Sequence, residues 1–236
     1  MGTSASYRSL STPRWNAVLA SYRSGAPLER MTSELFNAAG GPGGWQAVLQ
    51  GEAVRLYAHR VLSLYDELPV LLRDSDSATG GIQAAIDELR GATLARSDQA
   101  GVAIGERALA RLLIATVQRS TSLVDASGEE AARAWTANRP HSKEALLSRY
   151  LGEVLRQLCL HLASRDLVGL LGTTFAHAAE ASALSRDLGD RAAALVADDQ
   201  FGPAMVEGDT IPAAAWSKAV EQAFARGRIL PGRASG

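Results

Sequence analysis

Apolar side chains recur every three or four residues through most of this chain, and nowhere do they alternate with polar ones over a strand's length. That spacing restricts the sequence to helices packed on helices. The strongest stretch is Ser142–Leu171. With Leu147 as reference and a turn of about 100° per residue, Leu151, Val154, Leu155, Leu158 and Leu162 share one face, flanked by Tyr150 and Cys159. Arg149, Glu153 and Arg156 fall opposite, and Leu160 sits among them. An apolar residue on the charged side predicts a helix contacted from more than one direction, as at the centre of a bundle. The expected fold is all-α, a multi-helix bundle of about seven to nine helices around this long central helix, with no sheet.

Breakers divide the rest of the chain. Residues 1–11 read as a flexible tail. Thr12-Pro13 opens a helix to about Arg23 with Trp15, Val18, Leu19 and Tyr22 inward. Leu28–Ala39 forms a second, stopped by Gly40-Gly41-Pro42-Gly43-Gly44, which lacks the Gly-Lys-Ser/Thr ending of a phosphate loop. A long periodic run extends from Trp45 to about Leu72, with Pro69 as a kink or break. Helices are predicted over Gly80–Ala95, from about residue 100 to Val124, over Glu129–Asn138, over Thr174–Asp198 and over Ala213–Ala225. Ser142 is the expected N-cap of the central helix, and Gly169 and Gly172 mark its end or a bend. Phe201–Pro212 is an irregular link, which places the expected domain boundary near residue 200. The bundle then covers residues 12–200, and residues 201–236 hold the link, a last helix and a basic tail with Arg226, Arg228 and Arg233. No repeat of fixed period argues for a solenoid.

A chain of 236 residues, 47% of them hydrophobic, can bury a sizeable core. Its single cysteine excludes an internal disulfide framework and a zinc site built from thiolate pairs. That usage fits a reducing compartment, with the cytoplasm as the expected location. No apolar run approaches the roughly 18 residues of a membrane span, and the first residues lack the apolar stretch of a secretory signal. The start matches the myristoylation pattern Met1-Gly2-x-x-x-Ser6, a match that a Ser/Thr-rich tail gives by chance. Net charge is −1, so any binding to nucleic acid must come from a local patch. Lys143 and Lys218 are the only lysines, and the remaining positive charge is arginine, the side chain suited to bidentate contact with phosphate.

Catalytic patterns are missing. Cys159 and His161 are two apart on a helix and point about 200° from each other, so they form no dyad. His177 and Glu180, three apart, share a face that can offer two metal ligands, but the order reverses the glutamate-before-histidine pattern and no second pair exists. A surface or capping contact is the expected role. His59, beside Arg55 and Arg60, and His141 read as structural or solvated. No Gly-x-Ser-x-Gly, His-Glu-x-x-His or dinucleotide fingerprint occurs. No catalytic residue, metal ligand or cofactor is expected. The suggestive polar feature is Arg107, Arg111 and Arg119, at multiples of four on one predicted helix, a stripe that can follow phosphates.

Read in order, the chain carries Ala17-Val18-Leu19-Ala20-Ser21-Tyr22-Arg23-Ser24-Gly25, Gly51-Glu52-Ala53 with Leu56-Tyr57-Ala58-His59, and Thr79-Gly80-Gly81 with Ala85 and Leu89. Arg107 with Leu112-Leu113 follows, and then Tyr150-Leu151 with Leu155-Arg156-Gln157-Leu158. This succession, over about residues 14–171, resembles the small helical subunit of the CRISPR Cascade surveillance complex. Where that family has arginine pairs, this chain reads Tyr22-Arg23 and Arg107-Ala108. The resemblance implies a non-catalytic subunit of a crRNA-guided complex that stabilises the guide–target duplex or the displaced strand through basic helix faces. It implies other subunits of that complex as partners, and crRNA or single-stranded DNA as ligand. Arg23 and Arg107 are carried over by match, Arg111 and Arg119 by their place on the stripe. A helical scaffold that binds only protein is the competing expectation, and an enzyme with an unrecognised site is the third.

Overall fold

The computed structural model describes residues 15–27, 30–31, 33–34, 47–93, 99–167, 171 and 175–228. The regular structure is helical: α1 (residues 15–23), α2 (Glu52–Arg73), α3 (Ala78–Thr93), α4 (Gln99–Val117), α5 (Gly128–Asn138), α6 (Lys143–Leu167), α7 (Ala178–Ala193) and α8 (Ala213–Arg228). Residues 30–31, 33–34 and 47–49 are helical besides, and a 3₁₀ turn lies at Pro203–Met205. Among the described residues there is no sheet, only two isolated bridges, Leu171 with Phe175 and Glu207 with Thr210. The all-α bundle expected from the spacing is thus what forms. No helix among these residues is long and apolar enough to cross a membrane. The expected tail 1–11, Thr12-Pro13, the Gly40–Gly44 cluster, Gly169, Gly172 and Arg233 lie outside the described residues.

Packing divides the chain into two compact units that are discontinuous in sequence. One comprises Met1–Ala47, Leu155–Leu195 and Val220–Gly236, the other Val48–Val154 and Val196–Ala219. The division expected near residue 200 therefore falls inside the second unit.

In the second unit α2 packs against α3, α4 and α5. Tyr57, Val61, Leu64, Leu68 and Leu72 of α2 are buried at the three- and four-residue spacing that builds one apolar face. The periodic run from Trp45 is not one helix. It breaks at Gln50-Gly51, where Gly51 adopts an extended backbone (φ −59°, ψ 145°) as the N-cap of α2. Pro69 lies inside α2 without ending it. Lacking an N–H, it leaves the Tyr65 carbonyl without its helical donor, and the Arg139 guanidinium donates to that oxygen instead. Arg139 also lies 4.1 Å from the centre of the Tyr65 ring, and the Tyr65 hydroxyl donates to the Pro140 carbonyl at 3.1 Å.

Local caps set several boundaries. Ser127 and Glu130 form a reciprocal capping box at the start of α5, and the Ser142 hydroxyl accepts from the Ala145 N–H (3.2 Å), as an N-cap should. The link from residue 196 to 212 is not an outlying tether. Gln200 donates to the Ala219 carbonyl (2.9 Å), buried Phe201 stacks on Trp216 (5.7 Å between ring centres), and the Trp216 indole N–H donates to the Leu49 carbonyl at 2.6 Å.

In the first unit the second half of α6 supplies the core. Leu155 and Leu158 are buried, as are Leu151 and Val154 in the first half, so the face assigned from the sequence is the buried one. The opposite side is covered too. A Cβ on Gly189 of α7 would lie 3.2 Å from the Arg156 side chain and 3.4 Å from that of Leu160, so α7 crosses α6 where glycine permits a close approach. This contact accounts for an apolar Leu160 among charges, and an Arg156–Asp190 ion pair (2.9 Å) closes it. α7 ends at Ala193 rather than Asp198, and Arg226 of α8 donates to the Leu195 carbonyl just beyond (2.9 Å). Leu155→Ala is expected to destabilise the protein by about 2–5 kcal/mol through the cavity it leaves. Half-buried Leu160 should cost clearly less when replaced by alanine. Chemical denaturation showing equal losses would mean that the two faces of α6 are misassigned.

Candidate nucleic-acid interface

α4 is amphipathic because Val102, Leu109, Leu112, Leu113 and Val117 return to one side at helical spacing, and all are buried. Thr116 sits on the same side and donates its hydroxyl to the Leu112 carbonyl (2.8 Å), which satisfies it without leaving the helix. Arg107 and Arg111, four residues apart, are exposed on the other side. Neither makes an ion pair with a carboxylate among the described residues.

The third member of the expected stripe lies elsewhere. The helix predicted to reach Val124 ends at Val117. Beyond it Gln118-Arg119-Ser120-Thr121-Ser122 contains no apolar residue to hold a further turn against the core, and the serines and threonine favour turns. Ser120 N donates to the Val117 carbonyl (3.3 Å), and the Asn138 amide donates to the Ser120 hydroxyl (2.5 Å), so the turn is tied to α5. Arg119 is exposed on this turn and no longer continues the face of Arg107 and Arg111. Arg23, exposed at the end of α1, belongs to the first unit, whereas the other three belong to the second.

A further arginine enters through the fold. Arg149, read from the sequence only as part of the polar side of α6, is half-buried, and its terminal nitrogen Nη1 is enclosed without a hydrogen-bond partner. Burial, and then the charge of Arg119, pull its guanidinium below the ordinary arginine value, while Asp198 acts in the opposite sense.

The other candidates resolve as structural groups. Cys159 is buried and its thiol is pushed far up by burial, while His161 is exposed, so the two form no dyad. His177 occupies the N-cap position of α7 without a side-chain capping bond, while the Glu180 carboxylate accepts from the Ala176 N–H (3.1 Å), so of the expected surface or capping contacts Glu180 makes the capping one. The His59 ring contacts the Ile211 carbonyl through Nε2 at 3.2 Å, and His141 is exposed. Arg60 is buried, with Nε donating to the Ala85 carbonyl and its terminal nitrogens to Ser63, Glu67 and Glu88. Among the described residues no three His, Cys, Asp or Glu side chains gather as a metal site would require.

Fold and surface together define an all-α protein with two arginines displayed on the outer face of one helix and a third exposed on the turn after it. No known protein family, curated protein or solved structure matches this chain.

Proposed function

We propose that this protein is a non-catalytic helical subunit that holds a nucleic-acid backbone against the arginine surface of α4 and the turn after it. The observation that carries the reading is the contrast among its arginines. Arg60, Arg133, Arg139, Arg156 and Arg191 are each paired with a carboxylate, whereas Arg107, Arg111 and Arg119 are exposed and make no ion pair among the described residues. Arg23, Arg73 and Arg186 are exposed and unpaired there too, but only Arg107, Arg111 and Arg119 follow one another along one helix and the turn after it. A solvent-facing guanidinium with no internal partner is free to take phosphate oxygens in a bidentate manner. Such contacts position a strand without reading its bases. The resemblance to a surveillance-complex small subunit points to crRNA or displaced single-stranded DNA as the strand and to the other subunits as partners. A cytoplasmic setting goes with that role. Arg23, on the first unit, is proposed as a separate contact.

Three phosphate contacts predict a shallow dependence on salt, a slope of log K against log salt near −2 for single strands. Replacing Arg107, Arg111 and Arg119 together by alanine should flatten that slope in fluorescence anisotropy with an oligothymidylate. It should also weaken assembly with a guide-loaded complex and leave the helical circular dichroism unchanged. A triple variant that folds and binds both as wild type does would reduce the arginines to a solvated face. The protein would then be read as a scaffold that binds only protein.

A further inference from the structure

We propose that the cavity between α2 and α5 binds a small organic carboxylate, one negative charge on a compact apolar body. The two helices run in opposite directions and touch at both ends. Gly128 sits so close to the end of α2 that a Cβ there would lie 2.0 Å from the Leu72 carbonyl oxygen, and at the other end Arg139 donates to the Tyr65 carbonyl. Along α5 between these contacts, Glu129, Ala132, Arg133, Thr136 and Ala137 recur at three- and four-residue spacing and so share one face. Together with Arg73 from the last turn of α2 they line a cavity of about 310 Å³. The space is there because Ala132 and Ala137 carry only methyl groups where longer side chains would fill it. Its volume falls at the lower end of the range for small-molecule sites, about 300–1,000 Å³.

The side-chain donors left to a ligand here are cationic. Arg73 folds back on its own helix, where its Nε donates to the Pro69 carbonyl at 3.1 Å, and its two terminal nitrogens have no partner among the described residues. Arg133 reaches Glu129 at 3.6 Å with both side chains more than half exposed, an ion pair too long for a hydrogen bond and worth little in water. The Thr136 hydroxyl is committed to the Ala132 carbonyl (2.9 Å). A carboxylate matches the fork of a guanidinium in a bidentate manner, and the bond that already holds Arg73 lowers the cost of ordering it. Glu129 decides the charge of the ligand. Two arginines and one glutamate leave a single positive charge to balance, so a monoanion fits, whereas a phosphate dianion would also face the Glu129 carboxylate. The methyl groups of Ala132 and Ala137 give the body of the ligand an apolar floor. The cavity belongs to α2 and α5, so it does not rest on the strand-binding role proposed for α4.

The probe is fluorobenzoate, followed by broadening of its fluorine NMR signal as the full chain is added at neutral pH and low salt. Wild type should bind it and should not bind fluorobenzamide, which has the same shape without the charge. Arg73→Gln and Arg133→Gln should each weaken binding about tenfold. Glu129→Gln should strengthen it about two- to fivefold by removing the like charge. Ala137→Leu should abolish binding by filling the cavity. Arg186→Gln should change nothing, since Arg186 makes the same kind of Nε bond, to the Ser182 carbonyl at 3.4 Å, but does not line the cavity. All the substituted side chains are exposed, so the fold itself is not at stake in these variants. No broadening with wild type, equal binding of the amide, unweakened binding by both arginine variants, or Ala137→Leu binding as wild type does would each overturn the site. Inorganic phosphate that displaces the probe as well as unlabelled benzoate does would overturn the choice of ligand, because charge alone would then account for binding.

Discussion

Gly128→Ala is expected to destabilise the second unit by about 3 kcal/mol or more, although alanine is the better helix former by about 1 kcal/mol. The sign is decided by what the new methyl group meets. A Cβ at residue 128 would lie 2.0 Å from the Leu72 carbonyl oxygen and 2.2 Å from that of Ser75. Both are backbone atoms at the end of α2, where Asp74 N and Ser75 N already donate to the carbonyls of Val70 and Leu72 (2.9 and 3.1 Å). They cannot swing aside as a side chain would. The first residue of α5 therefore has to retreat, which would strain the neighbouring Ala78 N–H to Ala126 carbonyl bond (3.1 Å) and the Ser127–Glu130 capping box. Urea denaturation followed by circular dichroism gives the answer. A midpoint equal to that of wild type would show that α5 can back away without cost.

Trp216→Ala should be comparably damaging, at about 3–5 kcal/mol. The indole is 1% exposed, stacks on Phe201 with 17° between ring planes, and has the Tyr150 ring at 6.3 Å. Truncation leaves a large cavity and strips the Leu49 carbonyl of its donor. Trp216→Phe separates the two contributions, since it retains most of the ring while losing the N–H, and should cost about 1–3 kcal/mol for the orphaned carbonyl together with a smaller packing loss. A loss below about 2 kcal/mol for Trp216→Ala would mean that residues 196–219 are only loosely held to the rest of their unit. Both variants are best compared by denaturant midpoint and slope together, because a changed slope would report loss of cooperativity rather than of stability.

The reading of arginine as the functional side chain has an uneven basis. Arg107 and Arg111 could be placed on the solvent side of α4 from spacing alone, since the apolar residues around them leave no other direction. Arg119 could not, because helical phase was extended through Gln118–Ser122 where no buried residue holds a further turn. Arg60 shows the same limit from the other side. The sequence shows it only as a neighbour of His59, yet it is buried, because Glu67 lies on its own helix and Glu88 and the Ala85 carbonyl are brought to it by α3.

The amino-acid pattern alone determined the all-helical class, most of the helices, the buried face of α6 from Leu151 to Leu158 and the cap at Ser142. These follow from the 3.6-residue period and from hydrogen bonds made within a few positions of the chain. The continuation of α2 through Pro69 was decided by Arg139, the covering of Leu160 by Gly189, the end of α4 by the lack of a buried partner beyond Val117, and the enclosure of the Arg149 Nη1 atom by the fold of the second unit. The inclusion of residues 196–219 in that unit likewise depended on Trp216 and Phe201 finding a core. Each of these joins groups far apart in sequence, and periodicity carries no information about such pairs, because it records which side of a helix is apolar and not what that side will meet.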